Sequence, residues 1–359
     1  MTVHLDEWLA VAKERNASDL YIKAYSPPIL RVYGQFHALT DQPLTPRETE
    51  SIALGMMDSD HLERFKKERQ VNLAYWKPEL GRFRVNVYQQ RETTACVMRQ
   101  VKSEIPSFEA LRLPLFLKEV ALERRGLVLI TGATGMGKST SLAAMVDHRN
   151  HSRPGHIITL EDPIEYLYED DLSLISQREL GMDVGSWTDG LKDALRQAPD
   201  VIVIGELRDE ETVSSALHFA ETGHLVLATL HSNNVTQALE RIVSFFPSNH
   251  QNQAYLEISL ALRVVVSQVL LPRSDGEEML LACEVLVNTP YVRDLIRNGQ
   301  LPSIKGALQK GSFDGMRTFD QSIYQLYAQG LISQNEVIAA AQSPSEMKLR
   351  IEGLLGKDD

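Results

Sequence analysis

Apolar and polar positions along the 359 residues fall into three regimes. Up to about residue 100 two periods are mixed. Leu5, Trp8, Leu9 and Ala12 recur at helical spacing. Arg82 to Gln90 alternates Phe83, Val85 and Val87 with Arg84, Asn86 and Tyr88, the period of a strand with one buried face. Asp19 to Ile22 and Ile29 to Val32 predict two further short strands, joined by a turn at Ser26-Pro27-Pro28, with another turn at Tyr33-Gly34. An α+β domain is therefore expected over residues 1–104. Pro106 and Pro114 punctuate a linker over 105–124, which ends in a short helix from Leu115 to Glu123.

Between residues 125 and 284 the pattern changes. Leu127 to Ile130, Ile157 to Leu160, Val201 to Ile204 and Leu225 to Ala228 are short, almost wholly apolar runs separated by helical patterns. Strands covered on both faces by helices read this way. A succession of such βα units implies a parallel sheet with right-handed crossovers, hence an α/β fold. The oily stretch from Leu260 to Leu271, interrupted by Arg263, Ser267 and Gln268, reads as a core helix. Residues 285–359 carry helical spacing almost throughout, as in Phe319, Ile323, Leu326 and Tyr327.

Composition narrows the function classes. The chain is 43% hydrophobic and 24% charged, with a formal net charge of -11. It lacks the basic footprint of a nucleic-acid binder, so no nucleic-acid partner is expected. Cys96 and Cys283 lie far apart and form no Cys-x-x-Cys pair, which argues against a zinc site or a disulfide framework and suits a reducing cytoplasm. The start MTVHLDEW is no signal peptide, and no run of about 18 apolar residues exists. Any membrane association is expected to go through partners.

The chemistry concentrates in the middle block. Leu127 to Thr131 leads directly into Gly132-Ala133-Thr134-Gly135-Met136-Gly137-Lys138-Ser139, followed by Thr140, and a helical pattern through Leu142, Met145 and Val146 comes next. This is the phosphate-binding loop G-x-x-x-x-G-K-[ST] in its strand–loop–helix context. The glycines let backbone N–H groups turn inward at the phosphates of ATP, Lys138 answers their charge, and the Ser139 hydroxyl is placed to ligate Mg²⁺. Asp200 to Glu206 supplies a buried strand with a carboxylate just past its end, where ligands of open α/β sheets bind; Glu206 is the candidate general base. No aspartate stands at that strand end, so Mg²⁺ is expected to be held through water or by another acid. Glu161 ends a parallel run, ahead of Asp162-Pro163-Ile164-Glu165, as the candidate for metal–water coordination or placement of the attacking water. His231 closes the strand Leu225 to Leu230 on the same rim, while His224 sits at its other end, roughly 20 Å away. Arg208 is either a further functional charge or a structural ion-pair partner. Arg82 and Arg84, two apart on one strand face, and Arg99 are candidates for the positive charge that phosphoryl transfer needs around the γ-phosphate.

Together these segments resemble the secretion-ATPase superfamily, most closely the PilT/PilU-type ATPases of type IV pilus retraction. GATGMGKSTSLAAM, ITLEDPIEY, APDVIVIGELRD and AETGHLVLATLHS look like that family's Walker A loop, Asp box, atypical Walker B and His box. GRFRVNVYQQR and ASDLYIKAYSPPILRVYGQF resemble its PAS-like N-terminal domain, and FDQSIYQLYAQGLIS its C-terminal helices. The resemblance implies a PAS-like domain over 1–104, a RecA-like ATPase core over 125–284 and a C-terminal helical region over 285–359. It also implies a homohexamer with ATP between the two domains, reached by Arg82, Arg84 and Arg99, and functional roles for Glu161, Glu206, His224 and His231. Implied partners are a pilus platform protein of the inner membrane and a paralogous retraction ATPase, with the chain cytoplasmic and peripheral to that membrane. Two cysteines cannot build the four-cysteine zinc module of assembly and export members, which favours retraction. The family's AIRNLIRE segment stands here as Tyr291-Val-Arg-Asp-Leu-Ile-Arg-Asn298, closer to the PilU type, and Met136 occupies a position where the family often has serine. Three readings follow: a hexameric motor, an accessory nucleotide-gated ring docked on a partner ATPase, and a nucleic-acid motor disfavoured by the acidic charge.

Overall fold

The computed structural model describes residues 3–276, 278–311 and 315–354. It divides into two compact units, one of residues 1–103 with 165–167, the other of 104–164 with 168–359.

The first unit contains α1 (Val3–Glu14), β1 (Asp19–Lys23), β2 (Ile29–Val32), β3 (Gln35–Ala38), α2 (Pro46–Leu54), α3 (Ser59–Glu68), β4 (Gln70–Lys77), β5 (Gly81–Gln90) and β6 (Thr93–Gln100). Its strands form one antiparallel sheet in the order β3-β2-β1-β6-β5-β4. The alternation in β5 is realised: Phe83, Val85 and Val87 are buried while Arg82, Arg84 and Asn86 lie on the half-exposed face. Thr45 and Glu48 close a capping box at the start of α2, and Asp58 caps α3, satisfying backbone donors that the first turn leaves unpaired.

The second unit opens with α4 (Leu117–Ala121), then alternates β7 (Gly126–Thr131), α5 (Lys138–Ser152), β8 (Gly155–Glu161), β9 (Ser173–Glu179), α6 (Trp187–Arg196), β10 (Val201–Ile204), α7 (Glu210–Glu221) and β11 (Leu225–Leu230). It continues with α8 (Val235–Ser244), α9 (Gln251–Ala261), β12 (Leu262–Pro272) and β13 (Met279–Val287). The sheet order is β13-β12-β7-β11-β10-β8-β9, parallel throughout except for the β12–β13 pair. Successive residues face opposite layers. Leu127 and Leu129 pack with α6 to α9, while Val128 and Ile130 pack with α4 and α5. Burying each such side chain contributes about 1.5–3 kcal/mol, so the near-continuous apolar runs are what a sheet covered on both sides requires.

One expectation fails. Leu260 to Leu271 is not a core helix: α9 stops at Ala261, Leu262 turns extended, and the chain continues as β12. A segment buried on both faces has no period to distinguish strand from helix. The β-branched cluster Val264-Val265-Val266 and pairing to β7 and β13 decide for the strand. Strand β13 crosses residue 285, and α10 (Pro290–Arg297), α11 (Ile304–Lys310), α12 (Phe319–Ala328), α13 (Gln334–Ala340) and α14 (Pro344–Ile351) follow within the same unit. Phe319, Ile323 and Leu326 pack on Leu280 and Ala282 of β13.

Cys96 and Cys283 are free and buried, and burial pushes their thiols up to about 12 and about 11. Among the described residues, no helix is long and apolar enough to cross a membrane.

Candidate active site

Strand β7 ends at Thr131, the loop spans residues 132–137, and α5 begins at Lys138. Gly135 (φ +82) and Gly137 (φ +78) hold the left-handed conformation that the turn demands, where a side chain would be strained. Ala133, Thr134, Gly135 and Ser139 are exposed, Met136 and Thr140 partly so, and Lys138 is buried. The ammonium of Lys138 donates to the carbonyls of Gly132 (2.9 Å) and Ala133 (3.0 Å).

From Lys138 a line of polar contacts crosses the carboxyl ends of neighbouring strands. Lys138 Nζ lies 3.2 Å from His231 Nδ1, and His231 Nε2 lies 3.2 Å from Glu206 Oε1. Arg208 Nε donates to Glu206 Oε2 (3.1 Å), and Arg208 Nη1 to Asp162 Oδ2 (3.0 Å). The residues follow β7, β11, β10 and β8, which is the order of those strands in the sheet. An ammonium has donors only, so His231 accepts at Nδ1 and keeps its proton on Nε2, from which it donates to Glu206. Burial holds the Lys138 ammonium below its usual pKa, partly offset by the Glu206 charge. Burial also opposes the charge on Arg208, but Glu206 and Asp162 outweigh it and raise its pKa.

Backbone geometry sets this spacing. Gly205 N donates to Leu160 O (2.8 Å), and a Cβ on Gly205 would come within 3.2 Å of both Glu161 Cα and Leu160 O. Thr229 Oγ1 donates to Gly205 O, and Leu207 N to Thr229 O (2.9 Å), joining the ends of β10 and β11. Glu161 closes β8, and its Oε1 accepts from Thr159 Oγ1 (2.7 Å) and Gln177 Nε2 (3.4 Å). Glu161, Glu206, His231 and Lys138 are thus placed on one rim, with Arg208 as an ion-pair partner. His224 is not: at the other end of β11, its Nδ1 lies 3.1 Å from Phe219 O and 3.3 Å from Thr222 Oγ1.

The arginines belong to the first unit. Arg84 and Arg99 stand directly opposite each other on β5 and β6, and each meets a carboxylate there. Arg99 binds the buried Asp19 (2.7 Å), and Arg84 binds Glu165 (3.1 Å). Arg82 faces Trp76 across the β4–β5 pair.

Residues that the motif reading passed over complete the site. Gln268 of β12 donates from Nε2 to Met136 O, and Leu270 N donates to Met136 Sδ (3.4 Å). Thr131 and Ser267 pair their hydroxyls between β7 and β12. A cleft of about 200 Å³ beside Gly137 and Thr140 is walled by Leu111, Leu270 and Leu280, with Arg112 and Glu278 as its charges. Reading Leu260 to Leu271 as a helix hid these groups; the polar Ser267-Gln268 pair inside an apolar run was the available signal.

The rim acids and Ser139 form a set of hard oxygen donors, which suits Mg²⁺. Among the described residues no group of three or more His, Cys, Asp or Glu is arranged to hold a metal.

The Type II/IV secretion system protein family matches residues 4–337. The chain is 45% identical over 350 residues to the type IV pilus ATPase PilU of Pseudomonas aeruginosa, covering 98% of this chain and 92% of that one. It is 36% identical over 340 residues to the type IV pilus retraction ATPase PilT of the same organism, covering 95% and 98%. A crystal structure of the pilus retraction motor PilT with bound ADP superposes with a TM-score of 0.89 at 41% identity, over 95% of this chain and 98% of that one.

Proposed function

The chain belongs to the Type II/IV secretion system protein family, and on that premise we propose that it is an ATP-hydrolysing motor of type IV pili, working as a homohexamer in pilus retraction. The observation that carries this is the line Lys138–His231–Glu206–Arg208–Asp162 beside a phosphate-binding loop. In the proposed reaction the phosphates lie on the loop amides and the α5 N-terminus, with Lys138 at the β- and γ-phosphates. The base and ribose fit the cleft beside Thr140. Glu206 takes a proton from water as the water oxygen bonds to the γ-phosphorus; the bond to the ADP oxygen breaks, giving ADP and phosphate. His231 holds Glu206 in place and ties it to the phosphate lysine. Mg²⁺, when bound, neutralises charge on the phosphates; Ser139 would hold it, with Glu161 and Glu206 acting through water. We assign Arg82, Arg84 and Arg99 to the positive charge of the assembled site, the chain to the cytoplasmic side of the inner membrane, and the pilus platform protein as the partner.

A second reading has its own support. The greater identity to PilU than to PilT, and the departure at Tyr291 to Asn298 on α10, favour an accessory ring that assists a paralogous retraction ATPase with little turnover of its own. Steady-state ATP turnover against protein concentration, with Lys138→Ala as the blank, separates the two. For a motor, turnover per subunit rises as rings assemble and Lys138→Ala abolishes it. Turnover at the blank level with ATP still bound selects the accessory ring.

A further inference from the structure

We propose that Gln268 is a positioning residue that latches the phosphate-binding loop at both ends and so sets nucleotide affinity; this rests on the nucleotide-binding reading above. Strand β12 runs parallel to β7 with Ser267 opposite Thr131, and β7 stops there. β12 runs on to Pro272, so Gln268 is its first residue alongside the loop.

Gln268 meets the loop at three points. Its backbone carbonyl lies 2.7 Å from where a Cβ on Gly132 would sit, so the loop begins pressed against β12 and only glycine fits. Its side-chain N–H₂ donates to Met136 O, near the loop's other end. The same nitrogen lies 3.3 Å from where a Cβ on Gly137 would sit. Leu270 N, two residues on, donates to Met136 Sδ, which holds that side chain to the same strand.

The orientation of the amide is informative. Gln268 is only 2% exposed, and its Oε1 is buried with no hydrogen-bond partner. An unpaired buried acceptor is unfavourable. Flipping the amide would turn Oε1 against the Met136 carbonyl, acceptor against acceptor. The group is therefore held in an orientation that leaves one end unsatisfied, and what holds it there is the loop. Lys138 donates to the carbonyls of Gly132 and Ala133, so the loop that Gln268 closes is also the frame that aims the ammonium.

The test compares wild type with Gln268→Met and Gln268→Glu in the full-length chain. Both keep the length of the side chain, and both remove the amide donor. Amide hydrogen exchange of a peptide covering residues 131–140 is measured without nucleotide, and ADP affinity by calorimetry. Gln268→Met is expected to speed exchange in that peptide about tenfold and weaken ADP about tenfold, with β8 and β10 unchanged. Gln268→Glu is expected to weaken ADP further at neutral pH, and to recover relative to wild type as the pH falls, because a protonated carboxyl again donates to Met136 O. Unchanged loop exchange in both variants overturns the latch. Faster exchange spread over all strands, or no relative recovery of Gln268→Glu at low pH, reduces Gln268 to a packing residue and also overturns it. Faster loop exchange in a chain whose wild type fails to bind ADP leaves the latch standing and removes the nucleotide reading instead.

Discussion

Both oxygens of Glu206 are engaged, one by His231 and one by Arg208. A carboxylate so held cannot swing away from the rim, which is the geometric requirement for a base that must meet one water. Replacing Glu206 by Gln is expected to leave ATP binding within about threefold while lowering kcat about 10²–10⁴-fold. Replacing His231 by Ala should lower kcat by about one power of ten. The two changes should not multiply, because His231 acts through Glu206. Single-turnover kinetics of both single variants and the double variant check this; multiplicative losses would show that His231 works on the phosphate independently. The rim positions of Glu206 and His231 were legible because each follows the apolar run of a strand, and that of Lys138 because the glycine spacing of the loop marks the start of α5. The partnership of Arg208 with Asp162 was not, because it joins residues 46 apart through a strand pairing that no local pattern reveals.

At the scale of elements, the four central strands were readable from their short apolar runs, and β12 was misread. Its apolar run resembles a helix until β13 is known to lie beside it, and that pairing is not local. Gln268 was lost with it, since its bond to Met136 spans 132 residues. Strand β13 carries a second polar group in the core. Glu284 is 4% exposed, and it accepts from Val235 N (2.9 Å) at the start of α8. Burial raises its pKa, while hydrogen bonds from the Val235 and Phe319 amides and the Gln342 side chain pull it back. The folded chain therefore holds this proton more tightly than the unfolded chain. Its stabilising contribution is full below the unfolded carboxyl's pKa and declines as pH rises through the raised folded value. Glu284→Gln lacks that decline. The melting temperature of the variant minus that of wild type should become more positive by about 2 °C or more between pH 4 and pH 8. A difference that is flat with pH would mean that Glu284 is charged throughout.

At the scale of the whole molecule, two units have separate cores. The second holds the phosphate loop and the acids; the first holds the arginines. Sequence alone offered Arg82, Arg84 and Arg99 as equals, but their surroundings differ. The Arg99 partner, Asp19, is 2% exposed, so Arg99→Ala leaves a buried carboxylate without its charged partner, with the Ser18 hydroxyl (2.8 Å) still donating to it, and should cost about 1–3 kcal/mol of unfolding free energy. Arg84 and Glu165 are 29% and 47% exposed, so Arg84→Ala should cost under about 1 kcal/mol. Denaturant melts paired with turnover assays separate structure from chemistry: turnover lost in Arg84→Ala without loss of stability marks a charge used in the reaction. Equal stability losses in the two variants would contradict this difference between them.

The sealed cysteines bear on how the two units can be labelled. Buried thiols held in their protonated form are poor nucleophiles, since the thiolate is the reactive species. The native chain is therefore close to silent toward maleimides and toward thiol–disulfide exchange. One cysteine introduced on the surface of each unit would take a fluorescent dye almost alone, with no need to strip the native pair first. Energy transfer between the two dyes can then be measured with and without ATP, molecule by molecule.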